Sequence, residues 1–375
     1  MATAQTEAET LSAYAGRVAG TDAERRAAVH LAGRLADCGR EAEIEPIFVR
    51  THFGLAHATH AVMAIAGSVI AVGSPAPGAA VVLAAALLTF LDVTGLFAPV
   101  RRLFGRRASQ NVVSREDADK PGVLILVAGY DSPRESGGLR VITRLLRDPW
   151  RAMVAAMLMV LACCAVRVAG VDSSALTIVQ FVPTVLLILL TPPLVDIELS
   201  GAGPDPAGAA AAAAALRLAD DLHGRLDHFD LWVVLTGANQ PFALGMSAWL
   251  RANRKQLARE TTAVVSIGAA GSGPVHYTRR EGPLAPQRCH RDLLRISADV
   301  AEDASDGHGE RPVRFVSHEP SNASKALARR LPAITVATAG HDPADVEALD
   351  RLHAFTRELI ERLDAEIGPA LSEES

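Results

Sequence analysis

The chain has 375 residues, of which 49% are hydrophobic and 4% are aromatic, and its formal net charge is −5. Because aliphatic residues are abundant and no long run of lysine or arginine occurs, the composition excludes a disordered chain and a nucleic-acid-binding protein. Only four cysteines are present, which excludes a scaffold held together by disulfides. The aliphatic excess predicts that part of the chain lies in a membrane.

The N-terminal segment is polar and acidic. It lacks the basic and apolar regions of a signal peptide, so we expect the N-terminus to stay on the side of the membrane where it is made. Residues 22–38 have a helical spacing of apolar residues and an acidic first turn, and Gly39 follows as a stop, which predicts a helix. Residues 1–56 are therefore predicted to form the first part of a soluble domain.

The first apolar block covers residues 57–100 and is interrupted at residues 73–78, where glycine and proline cluster. It contains a short run, Ala61–Gly73, and a fuller one, Ala79–Ala98. A bilayer core about 30 Å thick needs roughly 20 apolar residues in a helix. We therefore predict a first hairpin of transmembrane helices. Asp92 lies inside this block, and we expect it to be paired by a neighbouring helix or partly solvated.

Residues 101–150 are predicted to form the second part of the soluble domain. Within them, residues 122–128 (GVLILVA) form a continuous aliphatic run that predicts a buried central strand. A second apolar block, residues 151–195, is interrupted at residues 170–174 and predicts a second transmembrane hairpin. Because the runs in both blocks are apolar on every face, membrane helices fit them better than helices buried in a protein core.

The remaining residues, 196–375, again alternate between helix and strand patterns. Buried strands are predicted over 230–235, 262–267 and 331–336, and helices over 207–223 and 346–367. Strands and helices that alternate in this way favour an open α/β sheet covered on both faces. We expect residues 1–56, 101–150 and 196–375 to fold together as one domain.

Arginine placement predicts how the hairpins are oriented. The hairpin tips carry only Arg167 and Asp172, whereas eight arginines flank the outer ends. By the positive-inside rule, the tips face outward and the soluble segments face the cytoplasm of a multi-pass protein of the cell membrane. The flanking residues are Arg50, Arg101, Arg102, Arg106, Arg107, Arg144, Arg147 and Arg151.

Short motifs occur along the soluble segments in a characteristic order. They are Arg17-Val-Ala-Gly-Thr21, Ser109-Gln-Asn-Val-Val113, Val127-Ala-Gly-Tyr-Asp-Ser132, Gly201-Ala-Gly-Pro-Asp-Pro-Ala-Gly208, Thr236-Gly-Ala-Asn-Gln240, Ser321-Asn-Ala323 and His341-Asp-Pro-Ala-Asp345. In this order they resemble the M28 family of zinc aminopeptidases. The resemblance implies a three-layer α/β/α sandwich with a mixed sheet, here with four inserted transmembrane helices. It also implies a site for two zinc ions that share a bridging water.

The resemblance also indicates which positions would hold the zinc ions. The family's first histidine ligand falls at Gly129, its bridging aspartate at Pro204 and its second aspartate at Gly268. None of these side chains can bind a metal ion. The general-base glutamate falls at Asn239 and a glutamate ligand at Gln240, so both carboxylates have become amides, and the amide at Asn239 cannot take up the proton.

A few positions keep a residue of the family's type. His341 matches the last histidine ligand, and Asp131 and Asp345 match the acids that support the site. Asp205 follows Pro204 and could replace the bridging aspartate only if the turn shifted by one residue. His341, Asp131 and Asp345 also have a purely structural interpretation, as a histidine hydrogen-bonded to the backbone of a turn and as acids that cap a turn or form a salt bridge.

Other chemistries find little support. The sequence has no Gly-x-Ser-x-Gly elbow, and the glycine-rich stretch 268–273 has the wrong spacing for a dinucleotide fingerprint and is interpreted as a loop. Six histidines in the soluble segments form no pair with metal-ligand spacing and are interpreted as structural or exposed. They are His223, His228, His276, His290, His308 and His318.

Two functional hypotheses follow. In the first, the protein is a membrane-anchored M28-like pseudoenzyme without zinc, whose cytoplasmic domain binds a peptide, a small ligand or a protein partner. In the alternative, it is a divergent but active aminopeptidase with a reduced metal site formed by Asp131, Asp205, Gln240 and His341. A transporter is a third and weaker hypothesis, because the predicted spans contain almost no polar residues. The expected partners are the lipid bilayer and a peptide or protein, without nucleic acid.

Overall fold

The structure, a computed structural model, describes residues 3–146, 148–305, 311–340, 343–368 and 370–371. It divides into two compact units. Unit 1 consists of Met1–Val49, Arg107–Pro133 and Ala202–Ser375, and unit 2 of Arg50–Arg106 and Arg134–Gly201. Unit 2 thus includes residues 50–56, 101–106, 134–150 and 196–201, which the sequence analysis assigned to the soluble domain.

The strands of the described residues all belong to unit 1. They are β1 (Glu43–Val49), β2 (Arg107–Arg115), β3 (Gly122–Gly129), β4 (Phe229–Thr236), β5 (Thr262–Ala270), β6 (Val275–Glu281), β7 (Gln287–Arg288), β8 (Val313–Ser317) and β9 (Ala333–Thr338). Together they form one sheet in the order β1-β2-β4-β3-β5-β9-β6-β7, and β8 pairs with β6. The four strands predicted from aliphatic runs are β3, β4, β5 and β9, the centre of this sheet.

The sheet is mixed. Strands β4, β3, β5 and β9 run parallel to one another, and β2 and β6 join them antiparallel at either side. The parallel strands end at one edge of the sheet, where Gly129 of β3 lies opposite Thr236 of β4. In open α/β sheets this carboxyl edge is where ligands bind. The loops that leave it are therefore the first place to look for a site.

The helices of the described residues, numbered along the chain, occur in both units. They are α1 (Ala4–Ala13), α2 (Asp22–Asp37), α3 (Phe53–Gly73), α4 (Pro75–Thr94), α5 (Gly137–Leu146), α6 (Pro149–Val168), α7 (Ser174–Leu199), α8 (Pro206–Asp221), α9 (Leu244–Ala252), α10 (Arg291–Ser305), α11 (Asn322–Leu327) and α12 (Val346–Glu366). The predicted helices over 22–38, 207–223 and 346–367 are thus found as α2, α8 and α12.

Two groups of helices contact the sheet of unit 1. Helices α2, α8 and α12 form one group, in which α8 contacts β3 and β5, and α9 and α11 form the other. Helix α8 can approach the sheet closely because Ala209–Ala215 are all buried and their side chains are small. The result is a mixed α/β fold, and the three-layer description remains our interpretation of these contacts.

The glycine-rich stretch interpreted as a loop is shorter than expected. The structure extends β5 through Gly268 to Ala270 and begins β6 at Val275, so only residues 271–274 connect the two strands. A Cβ atom at Gly268 would lie 2.9 Å from Ala337 Cβ and 3.0 Å from Thr335 Cγ2. Glycine at this position therefore allows β5 to pack tightly against β9.

Unit 2 contains four long apolar helices. Helices α3, α4, α6 and α7 are each long and apolar enough to cross a membrane. Helix α3 contacts α4 and α7, and α6 also contacts both of these helices. The predicted run Ala61–Gly73 was too short, because α3 begins at Phe53 and has 21 residues. Its first turns carry polar side chains that interrupt the apolar pattern, but these are buried within the unit rather than exposed.

The outer surface of these helices is aliphatic. Val69, Ile178, Phe181 and Leu189 are 66%, 67%, 65% and 62% exposed. Exposed apolar side chains on this scale are unfavourable in water and favourable against lipid. Unit 2 is therefore compatible with association with a membrane.

Candidate functional site

A buried carboxylate follows β3 at the carboxyl edge of the sheet. Asp131 is 2% exposed and accepts hydrogen bonds from the backbone N–H groups of Asn239 at 2.9 Å and Gln240 at 3.1 Å. Burial raises the pKa of Asp131 well above its usual range, and repulsion from Glu24 adds to this effect. The carboxylate thus fixes the loop that follows β4, and both of its oxygens are engaged.

A second buried carboxylate binds the same loop at the preceding residue. Glu24 of α2 accepts hydrogen bonds from Ala238 N at 3.1 Å, Gly20 N at 2.7 Å and Ser109 Oγ at 2.6 Å. Burial raises its pKa, and the hydrogen bonds oppose the increase. The sequence showed Glu24 only as part of the first helix. Its role depends on a contact with residue 238, which is far away in sequence.

The cation at this edge is an arginine. Arg17 is 2% exposed, and its Nε donates to the carbonyl oxygen of Tyr130 at 2.9 Å. Its Nη2 lies 3.5 Å from the carbonyl oxygen of Asp205. Burial lowers the pKa of Arg17, whereas the carboxylates of Asp205 and Asp131 favour its charged form. The two acids that could contribute to a reduced metal site therefore already have a counter-ion.

Asp205 caps a helix. It is the N-cap of α8 and accepts a hydrogen bond from Gly208 N at 3.0 Å. Burial raises its pKa, and the Gly208 amide and Arg17 oppose that shift. Its Oδ2 atom is buried and receives no hydrogen bond from the described residues. The preceding residue, Pro204, is exposed, so the turn directs Asp205 rather than Pro204 inward.

The side chain of Asn239 fills the space beside Gly129. A Cβ atom built on Gly129 would lie 2.3 Å from Asn239 Nδ2 and 2.6 Å from Asn239 Cγ. No real Cβ makes contacts this short, so a larger residue at 129 requires Asn239 to move. Asn239 Oδ1 is buried without a hydrogen-bond partner among the described residues, and Gln240 is exposed.

The remaining predicted site residues lie after β9. His341 is outside the described residues. Asp345 is exposed and is the N-cap of α12, where it accepts a hydrogen bond from Ala348 N at 2.8 Å. The sequence interpretation of Asp345 was an acid that caps a turn or forms a salt bridge, and the structure shows that it caps a helix.

A pair of zinc ions does not fit the described side chains at this edge. Zinc needs deprotonated donors directed at it, whereas Asp131 and Asp205 are bonded to backbone amides and attracted to Arg17. Within the described part of the chain, one group of at least three histidine, cysteine or acidic side chains has metal-ligand spacing. That group lies in unit 2.

This group was missed from the sequence. It consists of His57 and His60 of α3 and Asp92 of α4. The signal was a pair of histidines three residues apart near the start of one apolar run, with an acid near the end of the next. In a hairpin, these positions lie side by side. Of the two expectations for Asp92, pairing is found and partial solvation is not: Asp92 is 2% exposed, and Nη2 of Arg101, which follows α4 in the chain, lies 2.5 Å from its Oδ1.

Solved structures with a similar fold are described as a Zn-dependent exopeptidase, a leucine aminopeptidase precursor and a glutaminyl cyclase. A Zn-dependent exopeptidase from Parabacteroides distasonis aligns with a TM-score of 0.53 and 12% identity over 96% of this chain and 97% of its own. A leucine aminopeptidase precursor from Bacteroides thetaiotaomicron aligns with a TM-score of 0.53 and 11% identity over 96% of each chain. A glutaminyl cyclase from the same organism, bound to N-acetylhistamine, aligns with a TM-score of 0.53 and 10% identity over 96% of each chain.

These similarities show the fold of unit 1 and its mixed sheet, at a sequence identity too low to transfer an activity. No protein-family model matches the chain, and no curated protein matches it in sequence. The alignments span nearly the whole chain, so they do not identify the four apolar helices as insertions. That interpretation remains a prediction.

Proposed function

We propose that the protein is a membrane-anchored binding protein with the fold of zinc exopeptidases and glutaminyl cyclases, without their metal centre and without catalysis. Unit 1 binds its ligand at the carboxyl edge of the sheet, and α3, α4, α6 and α7 cross the bilayer as two hairpins. The arginine pattern supports a cytoplasmic location for unit 1.

The packing of Asn239 against Gly129 carries the proposal. The resemblance to zinc aminopeptidases assigns a histidine ligand to position 129 and the general base to position 239. Here glycine occupies the first position and the side chain of the second fills its space. Asn239 carries an amide, which cannot act as a general base near neutral pH. One pair of residues thus removes a ligand and the base together.

The charges nearby support the same conclusion. A dication bound between Asp131 and Asp205 would be repelled by the buried guanidinium of Arg17, and in a site with little water this repulsion is screened weakly. Both carboxylates have raised pKa values, so they offer a negative charge less readily than ordinary acids. Arg17 takes over the charge balance that a metal ion provides elsewhere.

Buried polar atoms without hydrogen-bond partners indicate the chemistry of the ligand. Asp205 Oδ2, Asn239 Oδ1 and Ser132 Oγ are buried and make no hydrogen bond with the described residues. Native proteins satisfy nearly all buried polar atoms, with water or a ligand where the protein supplies no partner. We propose a ligand that donates hydrogen bonds, such as the amino end of a peptide, a small amine or the backbone of a partner protein.

An activity assay with a matched variant tests the loss of catalysis. We expect purified full-length protein to hydrolyse no aminoacyl substrate above background, with or without added Zn²⁺. Hydrolysis that is abolished both by a chelator and by His341→Ala would instead establish the active aminopeptidase with a reduced site. Hydrolysis that is unchanged in His341→Ala identifies a contaminating enzyme and leaves the proposal intact.

Topology is tested separately. A reporter inserted in the turn at Pro75–Pro77 should appear outside the cell, and one fused after Ser375 inside. The reverse pattern would contradict the cytoplasmic location of unit 1.

A further inference from the structure

Two histidines and an aspartate converge at one end of the α3–α4 hairpin. His57 and His60 lie on the first two turns of α3, and Asp92 lies in the last turn of α4. One potential ligand atom from each side chain lies within 4.8 Å of the other two. The residues are buried, with exposures of 0% for His57, 0% for His60 and 2% for Asp92.

The orientation of His57 is fixed by its own helix. His57 Nδ1 lies 2.7 Å from the carbonyl oxygen of Phe53, so Nδ1 is the atom that donates. The lone pair of the neutral ring is then on Nε2, which lies 3.8 Å from Asp92 Oδ1. A backbone carbonyl bound to one ring nitrogen is the usual support of a histidine that ligates metal through the other.

His60 supplies the independent observation. Both of its ring nitrogens are buried, and neither makes a hydrogen bond with the described residues. A neutral imidazole has one donor and one acceptor nitrogen, and leaving both without a partner in an apolar interior is unfavourable. A metal ion at the centre of the group would engage the acceptor nitrogen and remove part of that penalty.

We propose that His57, His60 and Asp92 bind one divalent transition-metal ion, with Zn²⁺ as the ion that suits them best. Two imidazole nitrogens and one carboxylate oxygen are a donor set that zinc prefers, and four-coordinate zinc accepts three protein ligands with one further position. The site lies at the end of the α3–α4 hairpin opposite the turn that joins the two helices. It is independent of the proposed function, because it uses no residue of unit 1 and stands whether or not unit 1 is an enzyme.

Arg101 sets the affinity of this site. Its Nη2 lies 2.5 Å from Asp92 Oδ1 and balances the charge of the carboxylate when no metal is bound. A metal ion then shares the carboxylate with the guanidinium, and the two cations repel each other. The ring of Trp150 packs against that of His57, with 4.6 Å between the two centroids. Removing the charge of Arg101 should therefore strengthen metal binding.

A titration of the full-length protein tests the proposal. The chain is purified in detergent, stripped with a chelator and titrated with Zn²⁺ alone, and separately with Co²⁺ alone for its visible absorption spectrum. We expect one Zn²⁺ per chain and a cobalt spectrum of low coordination number. His60→Leu and Asp92→Asn should each lower the affinity by about 100-fold or more, since even outer partners of a metal site contribute roughly 10–100-fold. His276→Leu, in unit 1, should leave it unchanged.

Two further measurements separate metal loss from misfolding. Leucine replaces an unsatisfied buried imidazole with an apolar group of similar size, so metal-free His60→Leu should melt at or above the temperature of the metal-free parent. Zn²⁺ should raise the melting temperature of the parent but not that of this variant. Arg101→Gln should bind Zn²⁺ several-fold more tightly.

The opposite results overturn the proposal. Zinc binding that is equal in the parent and in His60→Leu removes His60 from the site, and the absence of stoichiometric binding in the parent removes the site altogether. A weaker affinity of Arg101→Gln for Zn²⁺ contradicts the inference that the metal ion and Arg101 share the carboxylate of Asp92. If the parent binds no zinc, Asp92 and Arg101 form a metal-free ion pair.

Discussion

Asp131 and Asp92 are both buried acids that lie near an arginine, and they differ in how their oxygens are used. Asp131, at the carboxyl edge of the sheet in unit 1, accepts two backbone hydrogen bonds. Asp92, in the hairpin of unit 2, accepts no backbone hydrogen bond from the described residues, and its Oδ1 lies 2.5 Å from Arg101 Nη2 and 3.8 Å from His57 Nε2. The presence of metal-binding residue types therefore does not by itself identify a metal site. What matters is whether their lone pairs are already committed.

The histidines sharpen this difference. The resemblance to zinc aminopeptidases predicts metal in unit 1, where position 129 has no side chain and the described acids hold a loop and cap a helix. Nothing in the resemblance predicts metal in unit 2, where two imidazoles and a carboxylate lie within ligand distance of one another.

The largest effect is expected for metal binding itself. We predict that Asp92→Asn lowers the affinity for Zn²⁺ by about 100-fold, or roughly 2.7 kcal/mol, while the double variant Asp131→Asn, Asp205→Asn leaves it unchanged. Zinc titration of both proteins against a competing chelator measures the difference. The contrast fails if the double variant loses zinc and Asp92→Asn keeps it, because the metal would then be in unit 1.

A second prediction concerns the space beside Gly129. Gly129→Ala should lower the free energy of unfolding by about 1–3 kcal/mol, as overpacking in a well-packed region does, because its Cβ would collide with Asn239. Asn239→Ala in the same chain should restore part of the loss, since it removes the amide group that lies closest. Thermal unfolding of the two single variants and the double variant gives the coupling energy.

Gly33→Ala is the matched control for that cycle. Gly33 lies within α2, and nothing lies within 4 Å of the position that its Cβ would occupy. Alanine is the better helix former, so this substitution should stabilise by about 0.5–1 kcal/mol. Equal destabilisation by Gly129→Ala with and without Asn239 would show that the cavity is not filled by that side chain.

The elements at the centre of the sheet could be predicted from the sequence, and those at its edges could not. Strand β3 is buried and reads as a continuous aliphatic run, which leaves few alternatives. Strand β6, with the sequence VHYTRRE, and strand β8, with VRFVS, mix polar and apolar residues because they are partly exposed. Their pairing in the sheet is what makes them strands, and no local pattern indicates it.

The candidate site divides in a similar way. Asp131 and Asp205 could be located because each lies at the end of an element that the sequence predicts. Arg17 and Glu24 could not, because their roles depend on contacts with residues more than 100 positions away. His57 and His60 were missed for a third reason, since polar side chains at the start of an apolar run suggest that the helix has not begun, whereas α3 begins before them.

The third prediction uses the raised pKa of Asp131. A carboxyl group whose pKa is higher in the folded state contributes most to stability below its unfolded pKa, about 3.9, and loses that contribution as the pH rises through its folded pKa. Asp131→Asn cannot titrate. Its melting temperature relative to the parent should therefore rise as the pH increases from 4.5 to 8, with each unit of upward pKa shift corresponding to about 1.4 kcal/mol.

A surface acid provides a control of opposite sign. The hydrogen bond from Arg25 lowers the pKa of Asp22, so its contribution is present above the unfolded pKa and is lost as the pH falls. The melting temperature of Asp22→Asn relative to the parent should therefore fall as the pH rises. A pH trend of the same sign in both variants would show that the effect is one of net charge rather than of burial at position 131.

The smallest effect separates helix capping from ligand binding. Asp205 and Asp345 are both N-caps, each accepting one backbone hydrogen bond three residues ahead. Replacement of either by alanine should cost about 1 kcal/mol of stability. Only Asp205 also presents a buried oxygen without a partner among the described residues, so only Asp205→Ala should abolish the rise in melting temperature produced by peptides with a free amino end. The same peptides with an acetylated amino end should have little effect on the parent. If Asp345→Ala abolishes the peptide response as fully as Asp205→Ala, the ligand does not bind to the carboxyl edge through Asp205. The role of Asp205 would then be limited to capping α8.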